Sequence, residues 1–364
     1  MPPRPQLYFD NNATAPLRPE AVEAIQAAMG PPSNPSSVHG YGRAARMAVE
    51  SARAEIAILA GCRGADVVFT SGGTEANNLA LSVFDHVITS AVEHDSVLRA
   101  VPDATIIGVD GEGRIDLDQL RDVLASLPDD RRRRTLVSVM YANNETGVLQ
   151  PIAEMVTLAR EAGVATHSDM VQILGRQHLE FTGSGLDYAS LSAHKIGGPT
   201  GVGALLVRPG LRMTSLLRGG GQEQGRRSGT ENFLGIVGFG AAAKAAFDDV
   251  AHYRAMAGWR DRLESRLTAG RNDVRLFGAA ADRIANTACL AVNEKSAETM
   301  VMTLDLAGVA ISAGSACSSG KVHESHVLKA MGAGMDASRA IRISGGWNTD
   351  EADFERLAEL LLAL

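Results

Sequence analysis

Cysteine and tryptophan are scarce in this chain, with three and two copies among 364 residues. The cysteines, Cys62, Cys289 and Cys317, stand far apart and form no CxxC pair, which argues against a disulfide framework or a cysteine-rich zinc site and suits a reducing compartment. Positive charge is not in excess either. The formal net charge is -7, whereas a general nucleic-acid or anionic-membrane binder needs a positive face. The one basic run, Arg131 to Arg134, follows Asp129 and Asp130 and reads as a solvated loop. No stretch reaches the ~18 uncharged apolar residues of a membrane span, and MPPRPQLYFDNN lacks the basic-then-apolar layout of a signal peptide. The expected location is therefore the cytoplasm, without membrane or direct nucleic-acid contact.

What remains is an ordinary globular composition, 45% hydrophobic and 21% charged, in a chain long enough for two or three domains. From about residue 45 to 210, helical patterns alternate with short β-branched runs at 66–70, 86–90, 135–141, 165–168, 188–191 and 203–207. Helices are expected over 75–82 and 152–162. This is the pattern of a mostly parallel sheet covered by helices. After about 250 come a long helix (253–267), short strands (287–292, 309–312, 340–344) and a closing helix from Glu351, which suggests a smaller α+β domain. FLGIVGFGAAAKAAF reads as a buried helix. The expected division is 15–250 for the large domain, with 1–14 and 251–364 forming the small one.

In such sheets ligands gather beyond the carboxyl ends of the strands. TSGGTEANN runs from a strand into two glycines that open a helix, presenting free N–H groups to an anion such as a phosphate. SLSAHKIGGP places Lys195 at another strand end, where partial desolvation would lower its pKa toward a reactive amine. HSDMVQ puts Asp169 at a third, where a buried carboxylate needs a cation. Each signal alone is weak. Together they match pyridoxal 5'-phosphate, with the lysine bound to the cofactor, the aspartate on its pyridine nitrogen and the glycine turn on its phosphate. His94, after another strand, could lie on the ring or shuttle protons.

With these residues assembled, the chain resembles the cysteine desulfurases of the NifS/IscS group, in the class-V branch of fold-type I pyridoxal-phosphate enzymes. The likeness runs through YFDNNATAPL, NPSSVHGYGRAAR, TSGGTEANN, VEHDSV, NNETG, HSDMVQ, SLSAHKIGGPTGVGAL, GGGQEQGRRSGTEN, SAGSACSSG and IRIS in order. It implies an α/β fold with a large PLP-binding domain and a smaller α+β domain carrying a mobile cysteine loop. It implies that Lys195 holds the cofactor, Asp169 its ring nitrogen and Gln172 its ring hydroxyl. His94 would stack on the ring as acid/base, with Asn144 beside cofactor and substrate. Gly73, Thr74, Ser192 and His194 would bind the phosphate, and Thr230 would reach the phosphate in the neighbouring subunit of a homodimer. Arg342 would grip the substrate carboxylate.

Cys317 would be the nucleophile that takes sulfur from L-cysteine as a persulfide, leaving L-alanine. Its glycine- and serine-rich surroundings allow a thiol to turn inward to the cofactor and outward to an acceptor. Nearby His323 and Lys321 are candidates to favour the thiolate. Cys62 and Cys289, in AILAGCRG and NTACLAV, read as small buried hydrophobes. A sulfur acceptor or cluster scaffold protein is the expected partner, serving iron–sulfur assembly or tRNA thiolation. No resident metal site is expected, Cys317 standing only as a transient cluster ligand. Alternatives are a selenocysteine lyase, another PLP-dependent β-lyase or aminotransferase, and an inactive binding scaffold. Two segments depart from the family pattern: Met170 stands where alanine is usual, and Gly345-Gly346-Trp347 follows IRIS.

Overall fold

The computed structural model describes residues 7–211, 213–292, 294–314 and 324–364. Its strands are β1 (Leu7–Tyr8), β2 (Val67–Thr70), β3 (His86–Ser90), β4 (Thr105–Ile107), β5 (Thr135–Ser138), β6 (Ala165–Asp169), β7 (Tyr188–Ser192), β8 (Gly203–Val207), β9 (Val274–Phe277), β10 (Thr287–Val292), β11 (Val309–Ala310), β12 (Ser312–Ala313) and β13 (Ile341–Ser344).

Seven of them form one sheet in the order β2-β8-β7-β6-β5-β3-β4. β8 runs antiparallel to both neighbours, and the other pairings are parallel. Strands such as TLVS and YASLS are buried along their whole length because helices cover both faces, the condition under which parallel strands lose polar alternation. Side chains still alternate. Val67 and Phe69 enter one core with Ile56 and Phe239, while Val68 enters the opposite core with Leu79 and Tyr188.

A second sheet, β12-β13-β10-β9, is antiparallel. It packs against Leu263 and Leu267 of the helix Val250–Gly270 and Leu357 and Leu361 of the helix Glu351–Leu362. β1 pairs with β11, and Asp10 bridges to Ser344, so the start of the described chain is stitched to this second sheet.

Three details differ from the sequence expectation. β4, only TII, is too short to stand out by pattern. β5 ends at Ser138, yet Val139 N and Tyr141 N still donate to His167 O and Asp169 O at 3.1 and 2.9 Å, so the ladder continues loosely toward the site. The expected strand at 309–312 is two short strands serving different sheets.

The apolar helix Phe233–Asp248 crosses the helix Gly40–Ala60 at Gly240, where an added Cβ would lie 2.5 Å from Ala52 Cα. A side chain there must push two helices apart. Gly240→Val is expected to destabilise the protein by about 1–3 kcal/mol, read as a lower urea midpoint; an unchanged midpoint would disprove the close crossing.

Candidate active site

Between the carboxyl ends of the large sheet and the second sheet lies a cavity of about 410 Å³. It gathers Gly73, Thr74, His94, Asn144, Asp169, Gln172, Ser192, His194, Lys195 and Arg342. Two expected residues are not among these. Thr230 is exposed beside Arg227 and Glu231, away from this cavity, and Cys317, with Lys321 and His323, lies outside the described residues.

The glycine turn is shaped as the sequence suggests. Gly72 adopts φ +154°, which a side chain would strain, and the helix Gly73–Leu81 begins directly after it. A Cβ on Gly73 would come within 3.0 Å of Val171 Cγ1 and 3.6 Å of Ser192 Cβ, so a side chain there would crowd the cavity at the helix's first N–H groups. One helical turn on, Asn77 donates to Asp169 Oδ2 at 2.7 Å, and Val171 N donates to Oδ1 at 3.0 Å. The Asp169 carboxylate is thus fixed at the end of β6, with each oxygen keeping a lone pair for a ligand.

Lys195 sits in a short turn after β7. Its Nζ donates to Asn12 O at 2.5 Å and Ala13 O at 2.9 Å. Burial lowers its pKa to about 7, with Arg342 and Arg176 adding repulsion against the opposing attraction of Asp169 and Asp10. His194 is lowered to about 4, first by burial and then by Lys195. His94 is lowered by burial and Lys195 in spite of Asp169 and Asp95. Ser96 N donates to its Nδ1 at 3.1 Å, which leaves Nε2 as the protonated nitrogen of the neutral ring. Arg342 pairs with Asp10 at 2.6 Å and donates to Asn144 O at 3.1 Å, while its buried Nε has no partner.

Several contributors carried no assignment in the sequence reading. Asn12 links Lys195 and Gln172 through its carbonyl and Arg176 through Oδ1 at 2.7 Å. Glu145 is buried in the cavity wall; burial raises its pKa although Ser325 donates to it at 2.6 Å. A Cβ on Gly314 would approach the same carboxyl to 2.8 Å. His326 donates through its ring to Glu93 O at 2.9 Å. For Asn77, the four-residue step from Gly73 along one helix face was a readable signal. For Asn12 and Glu145 nothing local marked them, because their partners lie more than a hundred residues away.

The departures from the family pattern have local explanations. Met170 is buried in the main core. Trp347 donates to Pro16 O at 2.9 Å and lies under the Arg18 guanidinium, 5.1 Å from its ring centroid. Gly346 leaves room for Asn11, whose Oδ1 would be 2.0 Å from any Cβ. Cys289 is fully buried and Cys62 partly so, and burial pushes the Cys62 thiol to about 12 and Cys289 upward as well; both are poor nucleophiles. Among the described residues no cluster of three His, Cys, Asp or Glu could hold a metal, and no helix is long and apolar enough to cross a membrane.

The glycine cradle, the fixed carboxylate, the low-pKa amine and the unpartnered buried Oε1 of Gln172 fit pyridoxal 5'-phosphate, and the mixed sheet that carries them is that of a fold-type I enzyme of this cofactor. Residues 7–357 match the class-V aminotransferases, and the chain belongs to that family. A cysteine desulfurase of Cereibacter sphaeroides is 41% identical over 98% of this chain and 95% of its own. An IscS-like cysteine desulfurase of Mycobacterium tuberculosis is 39% identical over 97% and 95%. The structure of a NifS-like protein from Rickettsia africae superposes with a TM-score of 0.91 at 34% identity, covering 99% of this chain and all of that one.

Two residues before Asp169 on β6, His167 is fully buried between Ser138 Oγ (2.8 Å) and Ser190 Oγ (3.0 Å), and burial depresses its pKa to about 3. The unfolded chain binds this proton near pH ~6.5 and the folded one does not, so stability is complete above that value and falls as pH drops. Replacing it by glutamine removes the titration. The stability advantage of wild type over His167→Gln is expected to shrink by about 2 kcal/mol between about pH 7 and about pH 5, measured by urea unfolding; a constant gap would show that His167 is not held neutral.

Proposed function

We propose that the protein is a cysteine desulfurase that removes sulfur from L-cysteine and leaves L-alanine. The observation carrying this reading is the low-pKa Lys195 amine facing Asp169, the glycine cradle and Arg342 in one cavity, in a chain whose full-length relatives are named cysteine desulfurases. A solved structure of SspA in complex with cysteine shares the fold, with a TM-score of 0.77 at 29% identity.

Gly73, Thr74, Ser192 and His194 would hold the cofactor phosphate, Asp169 would keep its ring nitrogen protonated, Gln172 would meet its ring hydroxyl and Asn144 would lie beside it. The cofactor, when bound, supplies an electron sink for negative charge formed at the substrate α-carbon. Arg342 binds the substrate carboxylate through its guanidinium fork. Lys195, its pKa lowered to about 7, would take the α-proton, and His94, whose pKa burial lowers, would offer its Nε2 proton to the substrate. The Cys317 thiolate then bonds to the substrate sulfur as the C–S bond breaks, and the electron pair stays with the carbon that becomes the alanine methyl. The persulfide formed on Cys317 passes to a sulfur-acceptor or cluster scaffold protein, as in iron–sulfur assembly or tRNA thiolation.

The division between a cofactor-holding part (15–250) and a part bearing Arg342 and Cys317 (1–14 and 251–364) belongs to this reading. So does a cytoplasmic homodimer in which the exposed Thr230 completes the phosphate site of the neighbouring subunit.

The test supplies L-cysteine and a dithiol reductant to the cofactor-loaded protein and measures sulfide and alanine together. Equal amounts of both are expected from wild type and neither from Cys317→Ala; alanine-free or Cys317-independent turnover would replace the reading with a β-lyase or aminotransferase.

A further inference from the structure

Arg176 lies just below the active cavity, in the turn that follows β6. Its guanidinium is buried, and among the described residues no carboxylate lies within ion-pair distance of it. Nη1 donates to Asn12 Oδ1 at 2.7 Å, while Nε and Nη2 make no hydrogen bond of good geometry; the buried Tyr253, its ring 6.0 Å away, offers its phenol oxygen to the guanidinium, and burial lowers the Arg176 pKa against that neutral partner. A buried charge without a charged partner costs several kcal/mol, and a neutral donor would satisfy Asn12 Oδ1 equally well. The surplus feature is the charge.

The other side of Asn12 shows where that charge acts. The backbone carbonyl of Asn12 accepts from Lys195 Nζ, as does that of Ala13. Two carbonyl acceptors stabilise an ammonium over an amine, and so do Asp169 at the end of β6 and Asp10 in the segment after β1. On the opposing side stand Arg342 from β13, with His94 and His194 at the cavity wall as neutral rings. Arg342, however, is already paired with Asp10 at 2.6 Å, so much of its charge is matched. Arg176 is the cation whose field is not spent on a carboxylate.

We propose that Arg176 is a positioning residue: through Asn12 it fixes the carbonyl on which the Lys195 amine rests, and its charge, matched by no carboxylate, shifts that amine toward its unprotonated form when it is free of the cofactor. The displacement of Lys195's pKa to about 7, in which Arg176 contributes after burial and Arg342, agrees with this. The inference rests on Lys195 being the reactive amine of the proposed reaction, but its test needs no desulfurase activity.

The full-length protein, stripped of cofactor, is pulsed with acetic anhydride across a pH series, and acetylation of Lys195 is read by peptide mass spectrometry against the exposed Lys244. Arg176→Gln keeps a donor for Asn12 without the charge, and Arg176→Lys keeps the charge without the planar fork. The midpoint of Lys195 acetylation is expected to rise by about one pH unit or more in Arg176→Gln and to stay near the wild-type value in Arg176→Lys. Thermal melting confirms that each variant is folded, and Arg176→Met makes the same comparison if the glutamine form is not. A wild-type midpoint in the uncharged variant, or equal shifts in the glutamine and lysine variants, would overturn the proposal by leaving Arg176 a purely structural donor.

Discussion

The site depends on keeping a primary amine out of water while loosening its hold on a proton. Lys195 meets two backbone carbonyls and two carboxylates that favour the ammonium form, and burial with two guanidinium groups that oppose it. Neither set alone gives a usable base: the first would leave a passive ammonium, the second an amine with nothing to orient it. The surrounding architecture can be understood as the means of holding these groups at fixed separations, which is why they come from strand ends and strand-linked turns instead of long loops.

Asn12 shows how this is done economically. One buried side chain and its backbone serve Lys195, Gln172, Arg176, Asn144, Thr287 and Asn286. These partners lie in the turns after β5, β6 and β7 of the first sheet and in or beside β10 of the second, so the position of the reactive amine and the seating of the second sheet on the first are set by the same hydrogen bonds. Glu145 makes a comparable junction at the opposite wall, between the turn after β5 and Ser325. Both are polar groups buried in low dielectric, where satisfied hydrogen bonds are strong and their loss is costly.

The sequence made the strand ends legible because hydrophobic runs such as HVITS and GALLV stop at polar or glycine residues, and the ends are where the chemistry lies. HVITS and GALLV fall on β3 and β8 without a shift. The chain was less readable where identity depends on distant partners. The antiparallel course of β8 cannot be seen in GALLV itself, since a strand buried on both faces has the same composition in either direction. Arg176 resembles any basic residue after a strand, and only three-dimensional placement shows that it lacks a carboxylate. Trp347, part of the departure from the family pattern after IRIS, fills the contact between Pro16 and Arg18.

The stitching of the first strand to the last sheet also bears on how the molecule is made. Asn12 N donates to Ser344 Oγ across 332 residues of sequence, and Asn11 donates to Ser344 O from the same turn. A ribosome synthesises the Asn12 carbonyl early, but the strand that locks it arrives only when nearly all the rest has emerged. Until then the large sheet can assemble around its local crossovers while the lysine cradle stays open, since contacts of such long range form late. The catalytic pocket is therefore set only once β13 has emerged, and a nascent chain lacking β13 would carry both the lysine and the Asn12 carbonyl without the strand that locks Asn12 in place.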